Sequence, residues 1–526
     1  MTMPLQHLPI VALNSLGRML AAYGGALVFA IVYGVAAGRS KRAERILIPI
    51  LDVLQSVPVL GFFPAAIYFF ITVAHGGRVG IELAAIFLIF TGQAWNMAFG
   101  VYEAVTTLPA DSSEAVRAFG LSPWRRFREL ELPAAVPKLV YNSILSWAAG
   151  WYFLVACEII SIGKSSYSLP GLGSFIQRAM EAGDVRGMVA GILTLTAIVT
   201  LLDLLAWRPL TLWAEKYRFE FTAGSAGSSR VFDFYRRTGF ARLLGSFWGR
   251  LWGLVDRPAE TLEKLPAESP EGKMVRILRR AFNVVFLAVA AAGALALAGL
   301  LIAYLKPPVP AEALQIPRAL LFSIARLLAA YAISLLWTVP LALWVGEKDS
   351  VARVVTPVAE IAASIPATAF FPLIVFLVVR ELGSINVAAV LLVLTGMQWY
   401  LLFNALAGAR QVPGEIKEMT RSFGLSFPAR ARKALLPAMA PSLVTGSVTA
   451  WGGGWNALIL SEYVTYGKKV YEAPGIGQLL VKATLSGNSR LLAWSLVSMI
   501  AVIGILNRLV WRRLYAAASV RFRIDA

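Results

Sequence analysis

Few residues in this chain have the type and spacing to carry chemistry. Trp147, Trp151 and Glu158 fall at i, i+4 and i+11, so they share one helix face. Trp451, Trp455 and Glu462 repeat that arrangement 304 positions later. Gly150 and the run Gly452-Gly453-Gly454 leave room for a backbone or a ligand beside these faces. Ser56-Val57-Pro58 and Ser364-Ile365-Pro366 form a second pair, in which proline leaves carbonyls without helical partners. Gly163-Lys164-Ser165 invites a phosphate-loop reading. That motif needs glycine five positions before Gly163, and the residue there is Glu158. The lone Cys157 permits neither an internal disulfide nor a thiolate cluster, and His7 and His75 are too far apart to suggest a metal site. No nucleophile–histidine arrangement survives inspection. The residues therefore point to binding and movement rather than catalysis, and the chain is expected to bind no cofactor of its own.

The elements that hold these residues are apolar. Of 526 residues, 58% are hydrophobic and only 15% charged, with a mean hydropathy of +0.67. A soluble chain carries roughly a quarter charged residues. Windows of about 20 apolar residues indicate a polytopic all-α membrane protein. The net charge of +19 raises nucleic acid as a partner. The basic residues instead lie in short loops beside apolar spans, which fits a positive-inside bias and a lipid membrane. The N-terminus lacks the pattern of a cleaved signal peptide.

The spacing predicts spans over about 17–37, 48–74, 80–105, 138–162 and 187–207, with the second interrupted by Pro58 and Pro64. A further span is expected over 281–305, followed by 319–345, 357–379, 386–408, 440–466 and 491–511. That makes about 11 transmembrane helices. The chain divides into a first repeat (1–207), a basic linker (208–278) and a second repeat (279–526). Within the linker, 231–256 mixes aromatics with arginines at helical pitch and is expected to lie on the inner leaflet. A charged side chain deep in lipid costs roughly 2.5–3.5 kcal/mol on insertion scales, so Glu158 and Glu462 are expected to face protein or water. On one reading they tie gate elements to Ser, Thr or backbone N–H donors beside a path. On the other, Trp fills the interface between the repeats and Glu is solvated near the outer boundary.

The strongest repeat is a polar, arginine-bearing loop. Residues 112–133 recur as 416–437 without a gap: Glu114 with Glu418, Arg117 with Arg421, Phe119-Gly120 with Phe423-Gly424, Leu132-Pro133 with Leu436-Pro437. Asp111 and Ser112 can cap a short helix, Ser113–Phe119, and Gly120 can take the positive φ that ends it. Both loops occupy the same point of their repeats, so the repeats run parallel about a pseudo-two-fold axis along the membrane normal. Lys and Arg at 39–45, 125–128 and 512–523 then fall on one side. That side is expected to be cytoplasmic, with the N-terminus external and the C-terminus cytoplasmic.

This loop resembles the cytoplasmic loop of membrane subunits of bacterial binding-protein-dependent ABC importers. The residues that match are Glu114-Ala115-Val116, Gly120, Leu130 and Leu132-Pro133, and Glu418-Met419-Thr420, Gly424, Ala434 and Leu436-Pro437. The family's Ala-Ala pair is degenerate in both copies. The order of features is most similar to the nitrate/sulfonate/taurine/bicarbonate group, except that two subunits are fused here and the first lacks an initial span. The resemblance implies a two-repeat permease of the type I importer fold in the bacterial inner membrane. It implies two ABC ATP-binding subunits, which hold ATP and Mg, and an external solute-binding protein. It also implies coupling contacts at Glu114, Arg117, Phe119, Gly120, Glu418, Arg421, Phe423 and Gly424. A translocation path is expected along Ser56, Pro58, Trp147, Gly150, Trp151, Glu158, Ser364, Pro366, Trp451, Gly454, Trp455 and Glu462. The rival reading is a two-repeat secondary transporter driven by an ion gradient, which would need no ATPase partner.

Overall fold

The computed structural model describes residues 5–56, 58–75, 78–159, 169–217, 302–412, 414–466 and 469–521, with positions 274, 277, 281 and 299. The extra span expected over 281–305 and the amphipathic helix expected over 231–256 lie almost wholly outside the described residues.

The first half opens with α1 (Leu8–Arg39), started by Pro9 in its first turn and ended with Arg39, whose charge suits a helix C-terminus. Next come α2 (Lys41–Ser56), α3 (Phe63–Val73) and α4 (Arg78–Thr106). The loop forms α5 (Ala110–Ala118) and α6 (Pro123–Arg126), and a π-helical turn, Phe127–Glu131, leads into α7 (Leu132–Ile159). Two helices, α8 (Leu172–Glu181) and α9 (Val185–Leu202), precede a second π turn, Asp203–Trp207, and α10 (Arg208–Glu215).

The second half repeats this order. Its helices are α11 (Ile316–Glu347), α12 (Asp349–Ser364), α13 (Ala367–Leu382) and α14 (Ile385–Gln411). Its loop forms α15 (Gly414–Ser422) and α16 (Phe427–Arg430), then a π turn, Ala431–Leu435, and α17 (Leu436–Ser461). After a hairpin, β1 (Tyr463–Tyr466) and β2 (Lys469–Glu472), come α18 (Ile476–Leu485), α19 (Ser489–Leu506) and α20 (Arg512–Arg521). The hairpin is antiparallel, with Tyr463 opposite Glu472.

Both ends of α1 and α11 lie 308 positions apart, and so do both ends of α2 and α12. From the loop onward the offset is 304, as for α5 with α15 and α8 with α18. Seven stretches among the described residues are long and apolar enough to cross a bilayer: Leu5–Arg39, Arg78–Thr106, Pro123–Glu158, Val185–Ala214, Ala311–Glu347, Ile385–Arg410 and Ser489–Ala518. The helix α17 is as long as the shortest of these, but Thr445, Ser447, Thr449, four glycines and Asn456 dilute its apolar content.

The second spans are interrupted, as their prolines predict. Neither 48–74 nor 357–379 is one helix: each is two, parted by the proline-bearing joint after Ser56 and Ser364. Proline cannot donate to the preceding turn, and the residue before it is driven to extended backbone. Ile365 shows this, with φ −78 and ψ 121. The helix α2 also carries Lys41, Arg42, Glu44 and Arg45, which suit an interface rather than a lipid interior.

Within each half, α1 packs on α4 and α4 on α7, as do α11 on α14 and α14 on α17. The largest apolar cluster takes residues from both halves, among them Met19, Trp151, Leu172, Trp455 and Leu480.

Candidate functional site

Each half contains the same buried polar node. Glu158 is fully buried at the end of α7. Its Oε1 accepts from Ser15 Oγ at 2.7 Å and Arg18 Nη1 at 2.6 Å, and its Oε2 accepts from the Gly173 backbone N–H at 2.8 Å. Arg18 also donates from Nη1 and Nη2 to the Pro170 carbonyl, at 3.1 Å each. In the second half, Glu462 accepts from Ser323 and Arg326 at 2.7 Å and from the Gly477 N–H at 2.7 Å. Arg326 also donates to the Pro474 carbonyl at 2.7 Å. The glutamate thus joins three elements: the first helix of its half, α7 or α17, and the start of α8 or α18, whose first-turn N–H groups lack intrahelical partners. The serine reinforces that start, because Ser15 Oγ and Ser323 Oγ accept from Leu172 N and Ile476 N at 2.9 Å.

The two nodes differ in one partner. Arg18 donates from Nε and Nη2 to Glu82 at 2.6 and 2.8 Å, whereas Arg326 donates to the amide oxygen of Asn386 at 2.7 Å. A Cβ added at Gly171 or Gly475 would overlap the glutamate carboxylate. Gly171→Ala or Gly475→Ala is therefore expected to expel the carboxylate and lower the melting temperature in detergent by several degrees. Gly183→Ala, where nothing lies within 4 Å of the new Cβ but φ is +69, should cost only about 1–2 kcal/mol of backbone strain.

The tryptophans belong to their own bundles. Trp147 packs edge-on to Tyr23 and Trp207, at centroid distances of 5.3 and 5.6 Å, and Trp451 does the same with Tyr331 and Trp511 at 6.0 and 5.6 Å. Trp151 and Trp455 are buried beside them. Gly150 faces Gln93 and Met19, and Gly454 faces Leu327 and Met397. The faces singled out in the sequence, Trp147–Gly150–Trp151–Glu158 and Trp451–Gly454–Trp455–Glu462, thus point into their own halves. The carboxylates are not solvated, and the Trp147 and Trp451 indoles pack on rings of their own half.

That joint is made by the broken spans. The stretch after Pro58, Val59–Gly61, packs on α17, and α13, which follows Pro366, packs on α7. Pro58 and Pro366 are both buried. Leu60 N donates to Asn456 Oδ1 at 3.5 Å, and Thr368 Oγ1 donates to the Tyr152 carbonyl at 3.2 Å. Leu60 and Thr368 are 308 apart, and Tyr152 and Asn456 are 304 apart, so these are two copies of one crossed contact. Ser56 and Ser364 end the helices that lead into it.

The loops present their aromatic tips outward. Phe119 is 81% exposed and Phe423 74%. Gly120 and Gly424 follow with φ of +61 and +66. Leu121 N and Leu425 N donate to the Val116 and Thr420 carbonyls at 3.1 and 3.3 Å, a wide turn that needs glycine at its left-handed position. Glu114 and Glu418 are exposed on α5 and α15, and Arg117 is the penultimate residue of α5.

How these loops are held differs between the halves. In the first, Arg39 at the end of α1 donates to buried Glu131 in three bonds of 2.6–3.1 Å, and Arg126 adds a fourth at 2.9 Å. In the second, the residue matching Arg39 is Glu347 and the residue matching Glu131 is Leu435. Glu347 accepts from Arg421 and Arg430, each at 2.9 Å. The hydrogen bond from Arg421 to Glu347 raises the guanidinium pKa above its ordinary value. The sign of the anchor is reversed, and its target moves from the root of α7 to α15 itself. Removing one partner of a buried pair costs about 3–5 kcal/mol, against about 0.2–1 kcal/mol for an exposed one. Glu131→Gln is therefore expected to lower the melting temperature clearly. Arg421→Gln, on a half-exposed arginine, should leave it nearly unchanged. Thermal unfolding of the two variants in detergent checks this.

Sequence reasoning missed Ser15, Arg18, Ser323 and Arg326. The signal was available, because Ser-x-x-Arg recurs at a spacing of 308 inside two apolar spans.

Two parallel copies of a broken-span bundle, each with an arginine-held loop, define a transport-system membrane component. The chain belongs to the family of binding-protein-dependent transport system inner membrane components, whose model matches residues 26–207 and 338–523. It is similar to a bicarbonate transport system permease protein of Synechocystis sp., 27% identical over 191 residues, covering 36% of this chain and 64% of the relative. It is also similar to the taurine transport system permease protein of Escherichia coli, 29% identical over 190 residues with the same two coverages. A nitrate import permease protein of Synechocystis sp. is 26% identical over 189 residues, again with 36% and 64% covered. The matches thus span just under two thirds of these relatives' length.

Proposed function

We propose that this chain is the fused permease subunit of an ABC importer and supplies both halves of the solute pathway. Two ATP-binding subunits, carrying ATP and Mg, dock on the loops at Phe119–Gly120 and Phe423–Gly424. Glu114, Arg117, Glu418 and Arg421 make polar contacts around those tips. The loops face the cytoplasm, the N-terminus is external and the C-terminus cytoplasmic. An external binding protein delivers a small solute of the nitrate, sulfonate, taurine or bicarbonate kind, and closure of the ATP-binding pair rocks the halves about the crossed contact. The path runs between α7 and α17, where the broken spans bear on them, rather than along the tryptophan faces.

The observation that carries this reading is the exposure of two phenylalanine tips at matching register. An aromatic ring left open on a polar loop has no packing role in its own chain, and both loops are braced to the first helix of their half. The test is assembly. Purified chain should bind its cognate ATP-binding subunits at one to two and stimulate their hydrolysis. Gradient-driven uptake with no bound ATPase would favour a secondary transporter and overturn the reading.

A further inference from the structure

Among the described residues, the helices α7 and α17 each leave one face uncovered by their own half. On α7 it carries Tyr141, Leu145, Ala148 and Tyr152, and on α17 Thr445, Thr449, Gly452 and Asn456 at the matching positions. Both sets follow i, i+4, i+7 and i+11, so each is one stripe. The other sides of these helices are taken. Ser143 and Trp147 meet α1 through Tyr23, Gly150 meets α4 through Gln93, and Gly446 and Gly453 meet α14 through Asn404 and Tyr400. Tyr141 is 64% exposed and Leu145 46%, and Thr445, Thr449 and Gly452 are exposed as well. Each stripe ends at the crossed contact, Tyr152 against Thr368 and Asn456 against Leu60. From there it runs along its helix toward the loops.

The two walls differ in chemistry. Neither stripe bears Asp, Glu, Lys, Arg or His. On α17, Thr445 Oγ1 donates to the Pro441 carbonyl at 3.1 Å, Thr449 Oγ1 to those of Thr445 and Gly446 at 3.1 and 3.0 Å, and Asn456 Nδ2 to that of Gly452 at 3.1 Å. These bonds stay within the helix, so each hydroxyl keeps acceptor capacity and can rotate to donate. The α7 wall offers two tyrosine rings, a leucine and an alanine, with a phenol hydroxyl on each ring; that of Tyr152 is buried with no hydrogen-bond partner among the described residues.

We propose that Thr445, Thr449 and Asn456 form the hydrogen-bonding wall of the solute path, and that Leu145 with the rings of Tyr141 and Tyr152 forms its predominantly apolar wall. The path is then shaped for a small organic solute with a hydrogen-bonding end joined to an apolar body, more than for a bare inorganic oxyanion. This rests on the permease reading.

The test uses full-length chain in proteoliposomes with its ATP-binding and solute-binding partners. Thr449→Cys and Leu145→Cys should react with a membrane-impermeant methanethiosulfonate from the loop side at least tenfold faster than Ala450→Cys, which is buried. ATP-driven uptake, compared at equal concentrations of nitrate and butanesulfonate, should favour butanesulfonate at least tenfold. Thr445→Val with Thr449→Val should cut that uptake about tenfold, while Thr449→Ser keeps it. Leu145→Thr should erode the preference. Equal or greater nitrate uptake, no reaction of the Thr449→Cys variant, or full uptake by the double valine variant overturns the inference. Failure of wild-type chain to bind or stimulate the ATP-binding subunits overturns the permease reading instead.

Discussion

Glu462→Ala is expected to destabilise the protein by about 3–5 kcal/mol, and Glu158→Ala by the lower end of that range. Each carboxylate accepts three hydrogen bonds in a fully buried site, two of them charge-assisted from arginine or made by a helix-start N–H. Truncation strands the partners. Arg326 keeps only the Asn386 amide and the Pro474 carbonyl, both uncharged, so a buried guanidinium is left without a counter-ion. Arg18 keeps the Glu82 carboxylate and is better compensated. The sequence difference at one matched pair, Glu82 against Asn386, thus sets the order of the two effects. Replacing the ion pair as a whole, with Arg326→Met and Glu462→Leu, should recover part of the loss, because two apolar groups leave no orphaned charge. Melting in detergent, followed by tryptophan fluorescence, measures all three. Equal loss in the two single variants would mean that Glu82 does not compensate Arg18.

The nodes explain why the broken spans can carry the joint between the halves. Each node pins the first helix, the end of α7 or α17 remote from the loop, and the start of α8 or α18 into one unit. The broken spans are then free to cross to the opposite bundle. A crossed contact made twice, Leu60 to Asn456 and Thr368 to Tyr152, gives the joint a pivot with no covalent continuity across it. The proposed rocking about such a pivot would need rigid halves, and the buried nodes would supply that rigidity.

Much of this was legible in the sequence, for identifiable reasons. The repeat could be read because the offsets of 308 and 304 hold residue by residue, so α1 pairs with α11 and α5 with α15. The glycine that ends each loop helix could be read because a short polar helix needs a residue of free φ to stop. The break in the second spans could be read from Pro58 and Pro366, but an apolar run on either side of a proline does not show that the parts cross to the other half. The tryptophan face was legible as a face, but its direction was not. Periodicity tells which residues point the same way, and only packing tells toward what. The uncovered stripe on α7 carries no unusual residue and gave no signal. The reversal of charge between Arg39 and Glu347 was visible in principle, yet it acquires meaning only when Glu131, Arg421 and Arg430 are seen around it.

A chain carrying Phe119→Ala with Phe423→Ala should fold, insert and melt like wild type, yet lose at least tenfold in stimulated ATP hydrolysis. Both rings are largely exposed, and removing an exposed side chain changes stability by about 0.5 kcal/mol or less. The loss would arise at a partner's apolar pocket, where burying an aromatic side chain contributes about 1.5–3 kcal/mol, or roughly one to two decades of affinity. Gly120→Pro with Gly424→Pro reaches the same end by another route. The glycines sit at φ +61 and +66, and proline is held near −65, so the turn after each phenylalanine must rearrange. Nothing lies within 4 Å of a Cβ added at either position, so the damage should stay at the tip and not spread into the bundle. The pair of variants separates contact from geometry: the first removes the side chains and keeps the turn, and the second keeps the side chains and moves the turn. Parallel loss in both, with unchanged melting, ties coupling to the placed aromatic tip. Full stimulation in the alanine pair would show that the ATP-binding subunits grip the loops elsewhere, and the exposed phenylalanines would then need another partner.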